Sequence, residues 1–227
     1  MKNIGTGTRT VQSEKNVGRG VKLTARYVVK VAVMTAMLTA LKFALSFVPN
    51  VEVVTLLILV YAAVFGAAYA VPAALVFCGI EIALYGVASW VVLYFVYWPT
   101  LALVASLLLR RRNVFVAVII ATVGSVLFGV LSACADTMVV ALGISEVDLA
   151  KYWVAYYARG LYFDLIHTAS NFCVVGLLFV PLCAAAERIK NATAPATAKE
   201  TYYVRVPREN KEIDEDIDEE TDADEKD

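Results

Sequence analysis

Charged side chains are scarce in this sequence: Asp, Glu, Lys and Arg make up 18% of its 227 residues, whereas hydrophobic residues make up 60%. Soluble domains carry about 25% charged residues, so this shortage excludes an ordinary soluble domain. The charges are also unevenly placed. Residues 1–190 hold 15 basic and 8 acidic side chains, a balance of +7 (15 − 8), and residues 191–227 hold 5 and 13, a balance of −8 (5 − 13). A basic, apolar body is therefore followed by an acidic tail.

Residues for catalysis and metal binding are equally few. The single histidine and the four cysteines show no CxxC or Cys/His spacing, so the sequence predicts no metal site, no disulfide framework and no cofactor. It contains neither HExxH nor GxSxG, which argues against an intramembrane enzyme. The phosphate-binding pattern GxxxxGK[ST] is also absent, so any ATP hydrolysis must come from partner subunits. We expect no nucleic-acid partner.

Long apolar runs are abundant. A helix needs about 20 apolar residues to cross the hydrocarbon core of a bilayer. Six segments meet or approach this length: 27–47, 51–66, 69–86, 89–109, 114–142 and 160–182. The sequence therefore predicts an all-α, polytopic membrane protein with a six-transmembrane-helix bundle over 27–190. The 26 residues before it form a basic segment without a cleaved secretory signal, and the tail 191–227 is expected to be disordered.

Basic residues near the segment ends predict the orientation, because Lys and Arg concentrate on the cytoplasmic side. They cluster in three places: Lys15, Arg19, Lys22, Arg26 and Lys30; Arg110, Arg111 and Arg112; Arg188 and Lys190. With six crossings all three clusters fall on one side, so both termini are predicted to be cytoplasmic. Five or seven crossings would put basic clusters on both sides.

The few ionisable side chains within the apolar segments all fall in the half predicted to be extracellular. They are Lys42, Glu52, Glu81, Asp136, Asp164 and His167, accompanied by Asn50 and Asn171. Intramembrane ionisable groups usually face a cavity or one another. This asymmetry favours a pocket that opens outward and is closed below. Lys42 and Glu52 either neutralise each other across the first outer hairpin or belong to the pocket, and Asp136 either belongs to the pocket or ends a helix beside water.

Helical periodicity groups several of these residues. Asp164, His167 and Asn171 are spaced i, i+3, i+7 and share one stripe of a helix, while Glu81 and Tyr85 are spaced i, i+4. Trp90 and Tyr94 lie near the outer end of the fourth segment. They either wall a pocket for a flat ligand or belong to an aromatic belt at the membrane interface. Trp98, which lies deeper, is expected to pack between helices.

Small residues recur every four positions on two segments. On the first they are Ala32, Ala36, Ala40 and Ala44, and on the fifth Ala121, Ser125, Gly129 and Ala133. Such ridges let helices approach closely in lipid. The fifth-segment series is expected to pack within the bundle. The first-segment series either packs there or docks a partner.

Three motifs together resemble the S components of energy-coupling factor (ECF) transporters. They are Pro49-Asn50-Val51-Glu52, then Glu81-x-x-x-Tyr85-Gly86 with Trp90 and Tyr94, and Asp164-Leu165-Ile166-His167 with Asn171; the alanine ridge is similar to the first-helix motif of that family. The resemblance covers residues 27–185. It implies the substrate-binding membrane subunit of a vitamin or micronutrient importer in the bacterial plasma membrane.

The resemblance also implies site residues and partners. Substrate would contact Asn50, Glu52, Glu81, Tyr85, Trp90, Tyr94, Asp164, His167 and Asn171. Ala32, Ala36 and Ala40 would dock on a transmembrane coupling protein, which is joined to two ATPase subunits. The first outer loop is short, so the 146–159 loop is a candidate lid. The excess of carboxylates in the predicted pocket favours a cationic or amine-bearing aromatic ligand. A secondary transporter of a small organic solute and a membrane assembly factor are the alternative functions.

Overall fold

The computed structural model describes residues 24–143 and 146–193. Over these ranges the chain forms six α-helices and no strand. The helices are α1 (Ala25–Ala44), α2 (Val54–Phe65), α3 (Ala67–Tyr85), α4 (Ser89–Leu108), α5 (Val114–Gly143) and α6 (Leu149–Ala192), with a 3-10 turn over Leu109–Arg111. The predicted basic segment 1–26 and acidic tail 191–227 lie outside the described residues, except for 24–26 and 191–193.

Five of these helices, α1, α3, α4 with its 3-10 turn, α5 and α6, are long and apolar enough to cross a membrane. The prediction of an α-helical, multi-pass membrane protein is thereby confirmed. Helix α2 has 12 residues and is about 18 Å long, whereas the hydrocarbon core of a bilayer is about 30 Å thick. It is therefore too short to cross alone.

The chain divides into two compact units, Met1–Glu187 and Arg188–Asp227. The described part of the second unit is the C-terminal end of α6, where the Thr193 hydroxyl donates to the carbonyl oxygen of Ile189 at 3.0 Å. The features below all belong to the first unit.

Helix α2 is the core of the first unit. Ten of its twelve residues are buried, and it is apolar on every side, as expected of a helix surrounded by others. It packs against α1, α3, α4 and α5. At its C-terminal end, Gly66 has φ +80° and joins α2 directly to α3. This backbone conformation favours glycine, and it places the boundary where the sequence predicts it.

The short α2 leaves a recess at one end of the bundle. The beginnings of α1 and α3 lie at the same level, because the Tyr27 hydroxyl donates to the carbonyl oxygen of Ala68 at 2.8 Å. From that level α1 extends about 30 Å but α2 only about 18 Å, so α2 begins roughly 10 Å short of the end of α1. The connection between them, residues 45–53, covers this difference.

The two small-residue ridges have different surroundings. The α5 series, Ala121, Ser125, Gly129 and Ala133, is entirely buried, which confirms packing within the bundle. On α1, Val31, Met34, Thr35 and Leu38 are buried instead, and Ala32, Ala36 and Ala40 are exposed. The α1 ridge therefore does not pack within the described part of the chain.

Helix α6 begins earlier than predicted. The sequence-based span started at residue 160, and 146–159 was expected to be a loop. The helix instead begins at Leu149, and the Asp148 carboxylate accepts a hydrogen bond from the backbone N–H of Lys151 at 3.1 Å, as an N-terminal cap. That bond and the neighbouring Lys151 ammonium lower the pKa of Asp148. Trp153 and Tyr157 stack at 5.3 Å on the next turn. The prediction of a loop was wrong because it relied on the charged residues Lys151 and Arg159, and these lie within a helix of mostly apolar and aromatic residues.

Candidate solute-binding pocket

A cavity of about 310 Å³ lies in the recess above α2. Its wall combines the α1–α2 connection with the ends of α1, α3 and α4 and with one residue each from α5 and α6. The lining residues are Lys42, Leu45, Ser46, Val48, Pro49, Asn50, Val51, Glu52, Val54, Tyr85, Trp90, Tyr94, Trp98, Phe128 and His167. Ligand pockets usually enclose about 300–1,000 Å³, so the space suits one small molecule.

The aromatic wall is a continuous row on α4. The ring centroids of Trp90 and Tyr94 are 5.4 Å apart, and those of Tyr94 and Trp98 are also 5.4 Å apart. Tyr85, at the end of α3, extends the row with a centroid 5.7 Å from that of Trp90. The row follows from i, i+4, i+8 spacing on one helical stripe. Trp98 belongs to the cavity wall, where the sequence predicted only packing.

Lys42 forms an ion pair with Glu81, which is only 1% exposed. Of the two alternatives from the sequence, the pairing of Lys42 with Glu52 is therefore wrong. Helix α1 packs mainly on α3, which carries Glu81, whereas Glu52 is bound by Thr55, His167 and Asn171. The Lys42 ammonium also lies 4.9 to 5.6 Å from the ring centroids of Tyr94, Tyr85, Trp90 and Phe77. Cation–π attraction adds to the ion pair at this range.

Glu52 forms a second polar cluster at the floor of the cavity. Its Oε2 accepts the backbone N–H of Thr55 at 2.9 Å, and its Oε1 accepts the Thr55 hydroxyl at 2.5 Å. Oε1 also lies 3.2 Å from Nε2 of His167 and accepts Nδ2 of Asn171 at 3.0 Å. The fully buried Asn171 amide further donates to the Ser125 hydroxyl at 2.9 Å. The cluster thus joins the α1–α2 connection to α2, α5 and α6.

Asp164 lies apart from this cavity. It lines a different space of about 420 Å³ between α5 and α6, together with Gly129, Tyr156 and Arg159. Its carboxylate packs against Gly129, in the position that a Cβ of that residue would occupy. Asp164 lies on the same face of α6 as His167 but one turn nearer the start of that helix. At that level the facing residue of α5 is Gly129, which has no side chain. The structure therefore does not bring Asp164 together with His167 and Asn171.

Asp136 makes a third contact between helix ends. Its carboxylate accepts the Ser89 hydroxyl and the Tyr152 hydroxyl, each at 2.6 Å. The alternative of a helix end beside water is wrong, because α5 continues past Asp136 to Gly143 and α6 brings Tyr152 to the carboxylate. This contact joins α4, α5 and α6 beside the cavity, but Asp136 does not line it.

The nine residues predicted to contact substrate therefore fall into three groups. Six line the cavity: Asn50, Glu52, Tyr85, Trp90, Tyr94 and His167. Glu81 and Asn171 lie behind the wall, where they hold Lys42 and Glu52. Asp164 lies elsewhere. Their contact with a substrate stays a prediction for all nine.

Sequence reasoning missed four participants. Trp98 had a signal, its i+4 spacing from Tyr94. Phe128, Thr55 and Ser125 had none, because an isolated Phe, Thr or Ser in an apolar helix is ordinary. Phe128 lines the cavity, with its ring centroid 6.0 Å from that of His167.

The polar groups in the cavity wall are mostly engaged with one another, and the rest of the wall is aromatic or aliphatic. Within residues 24–143 and 146–193, no group of three or more His, Cys, Asp or Glu side chains could hold a metal ion. Comparison of the chain with protein-family models, with curated proteins and with solved structures finds no match.

Proposed function

We propose that this protein is the substrate-specific membrane subunit of an ECF-type importer, and that it binds a vitamin or related micronutrient in the cavity above α2. The observation that carries the proposal is the cavity itself. A space for one small molecule is walled by aromatic rings in edge-to-face contact, has two internally bonded polar clusters, and ends on the apolar core helix. A binding protein needs such a closed floor, whereas a channel needs a continuous polar path.

The proposed orientation places the cavity outside a bacterial plasma membrane and both termini in the cytoplasm. The cavity lies at the end of the bundle where α1 ends and α4 begins. Arg110, Arg111 and Arg112 follow α4 at the opposite end, where the Arg112 guanidinium donates to the Ala63 carbonyl at 3.5 Å and pairs with Glu187. Basic residues at that end favour the cytoplasm. In this arrangement α2 completes the sixth crossing together with residues 45–53.

The outer part of the α1–α2 connection, residues 45–51, is the proposed lid. It supplies Leu45, Ser46, Val48, Pro49, Asn50 and Val51 to the cavity wall, and it ends where Glu52 is held at the floor. Most of this segment is exposed and non-helical, and Asn50 has φ +58°. Residues 146–159, considered as a lid from the sequence, supply nothing to this cavity.

Docking is proposed for the exposed face of α1. Ala32, Ala36 and Ala40 leave a flat strip there, on which a helix of the coupling protein can pack closely. Two ATPase subunits bound to that protein would supply the energy. Helix α1 also carries Lys42, so the same helix would sense the solute and contact the coupling protein.

The test of binding is direct. The protein is purified in mild detergent and denatured, and released small molecules are identified by mass spectrometry. We expect a stoichiometric micronutrient, lost in Trp90→Ala and retained in Trp153→Phe, since Trp153 is remote from the cavity wall. Wild-type protein without a co-purifying solute, and without thermal stabilisation by a vitamin panel, would contradict the proposal.

The test of docking uses a matched pair of substitutions. Ala36→Leu would place a bulky side chain on the α1 strip, and Ala169→Leu would do the same on an exposed position of α6. We expect only Ala36→Leu to abolish co-purification with the ATPase module and solute uptake, while both variants still bind solute. Equal solute uptake by the two variants would contradict the proposal that α1 docks on the coupling protein.

A further inference from the structure

The charged groups that line the cavity differ from those predicted from the sequence. The sequence counts four carboxylates, Glu52, Glu81, Asp136 and Asp164, against one lysine. Three of the four do not line the cavity: Glu81 is buried under Lys42, Asp136 binds Ser89 and Tyr152, and Asp164 faces another space. The titratable charged groups that remain in the wall are Lys42 and Glu52, with His167. The argument for a cationic ligand therefore loses its basis.

Lys42 occupies the part of the cavity that would otherwise suit a cation. Four aromatic rings and a buried carboxylate surround its ammonium, an arrangement that proteins use to bind organic cations. Here the chain supplies the cation itself, so a cationic ligand cannot occupy this aromatic cage. An ammonium has three N–H donors, and Glu81 accepts one. Since Lys42 is 22% exposed and lines the cavity, it can donate to an acceptor on the ligand.

Glu52 has one acceptor position left. Its Oε1 is used by Thr55, His167 and Asn171, but Oε2 accepts only the backbone N–H of Thr55. A carboxylate oxygen has two lone pairs, so Oε2 can accept one further N–H. The Glu52 side chain is 16% exposed and lines the cavity.

On the basis of the proposed function, we propose that the solute is a planar heteroaromatic molecule without net positive charge. It stacks on the α4 aromatic row, presents a carbonyl or carboxylate oxygen to Lys42, and presents an N–H to Glu52. A cavity of about 310 Å³ limits it to one ring or two fused rings with small substituents.

The test compares probes that share a ring and differ in charge. One set is pyridine-3-carboxamide, pyridine-3-carboxylate and 1-methylpyridinium-3-carboxamide, and a second uses quinoline in place of pyridine. Binding to ligand-stripped protein is followed by quenching of tryptophan fluorescence in Trp153→Phe, where the tryptophans that remain, Trp90 and Trp98, both line the cavity. Within at least one set, we expect the uncharged amide to bind about tenfold or more tightly than the cation.

A variant pair tests the assigned donor. Lys42→Met with Glu81→Met removes both charges together, so no buried carboxylate is left alone. We expect it to reduce the amide-over-cation preference to about twofold or less, whereas Phe43→Leu, on the exposed face of α1, retains the preference. An unchanged preference in the double variant would overturn the role of Lys42.

The identity of the co-purified solute distinguishes a failure of this inference from a failure of the proposed function. A planar, uncharged or zwitterionic solute supports both. A permanently cationic or non-planar solute, or a cationic probe that binds as tightly as its amide, overturns this inference and leaves the importer proposal standing. If no solute co-purifies and no probe binds, the proposed function fails and this inference fails with it.

Discussion

Nε2 of His167 lies 3.2 Å from Oε1 of Glu52, a residue 115 positions earlier in the chain. This contact joins the last helix to the connection that forms the mouth of the cavity. Asn171, one turn further along α6, donates to the same oxygen at 3.0 Å. The lone histidine of the sequence thus has a defined partner, and the cluster holds the Glu52 carboxylate in place at the cavity floor.

Replacing Glu52 should destabilise the bundle. Glu52→Leu leaves the Thr55 N–H, the Asn171 amide and His167 without their acceptor, and each unsatisfied buried group costs about 1–3 kcal/mol. We expect the free energy of unfolding to fall by about 3 kcal/mol, and Glu52→Gln to lose less because one amide oxygen remains. Denaturation in detergent measures both. Ser46→Ala, in the exposed part of the same connection, is the control, and a loss equal to that of Glu52→Leu would contradict the assigned contacts.

The ion pair between Lys42 and Glu81 gives a double-mutant cycle. Lys42→Met leaves the Glu81 carboxylate buried and unpaired, so we expect a loss of about 3–5 kcal/mol in the free energy of unfolding. Adding Glu81→Met removes the unpaired charge and should restore most of that loss. Thermal unfolding of the wild type, the two single variants and the double variant measures the coupling. Additive effects would show that the two side chains do not interact.

Gly129 should not tolerate a side chain while Asp164 is present. A Cβ there would overlap the Asp164 carboxylate, which must move, so Gly129→Ala should lower the free energy of unfolding by about 1–2 kcal/mol. In an Asp164→Ala background the same substitution should have little effect. Gly79→Ala is the control, since no atom lies within 4 Å of a Cβ built at that helical position. Thermal unfolding is measured for the wild type, the two single variants, the double variant and the Gly79→Ala control. An equal loss from Gly129→Ala in both backgrounds would contradict this contact.

The proposed orientation predicts which ends of the bundle react from outside the cell. In a protein whose four cysteines are replaced, Asn50→Cys should react with a membrane-impermeant maleimide on intact cells. Arg111→Cys should react only after permeabilisation. Both positions are exposed, so accessibility to solvent does not distinguish them. The reverse pattern would invert the topology, and labelling of both positions in intact cells would exclude six crossings.

Much of the helical framework was predictable because it depends on local composition. The predicted 89–109 and 114–142 agree closely with the observed α4 and α5. The break at Gly66 was also predictable, since a glycine there separates two apolar runs. The start of α6 was not predictable in the same way, because residues 149–159 include charged side chains and do not form a continuous apolar run. Asp148 caps the helix that begins at Leu149, and hydropathy alone could not identify this cap.

The partners of the charged side chains were predictable only in part. Periodicity placed His167 and Asn171 on one face, and the structure brings both to Glu52. The same periodicity placed Asp164 beside them, although the gap at Gly129 directs it to another space. Lys42 pairs with Glu81, not Glu52, because the depth of each helix in the bundle decides which charges meet.

By itself the sequence determined that this chain forms apolar helices and that its ionisable groups gather at one end of them. Both properties follow from each residue's own transfer energy and from its position along a helix. Only the tertiary structure decided that a short α2 leaves a recess, that Lys42 fills an aromatic cage, and that Trp98 and Phe128 share one wall. These features depend on which helices meet and at what depth, and contacts between residues on different helices leave no local pattern in the chain.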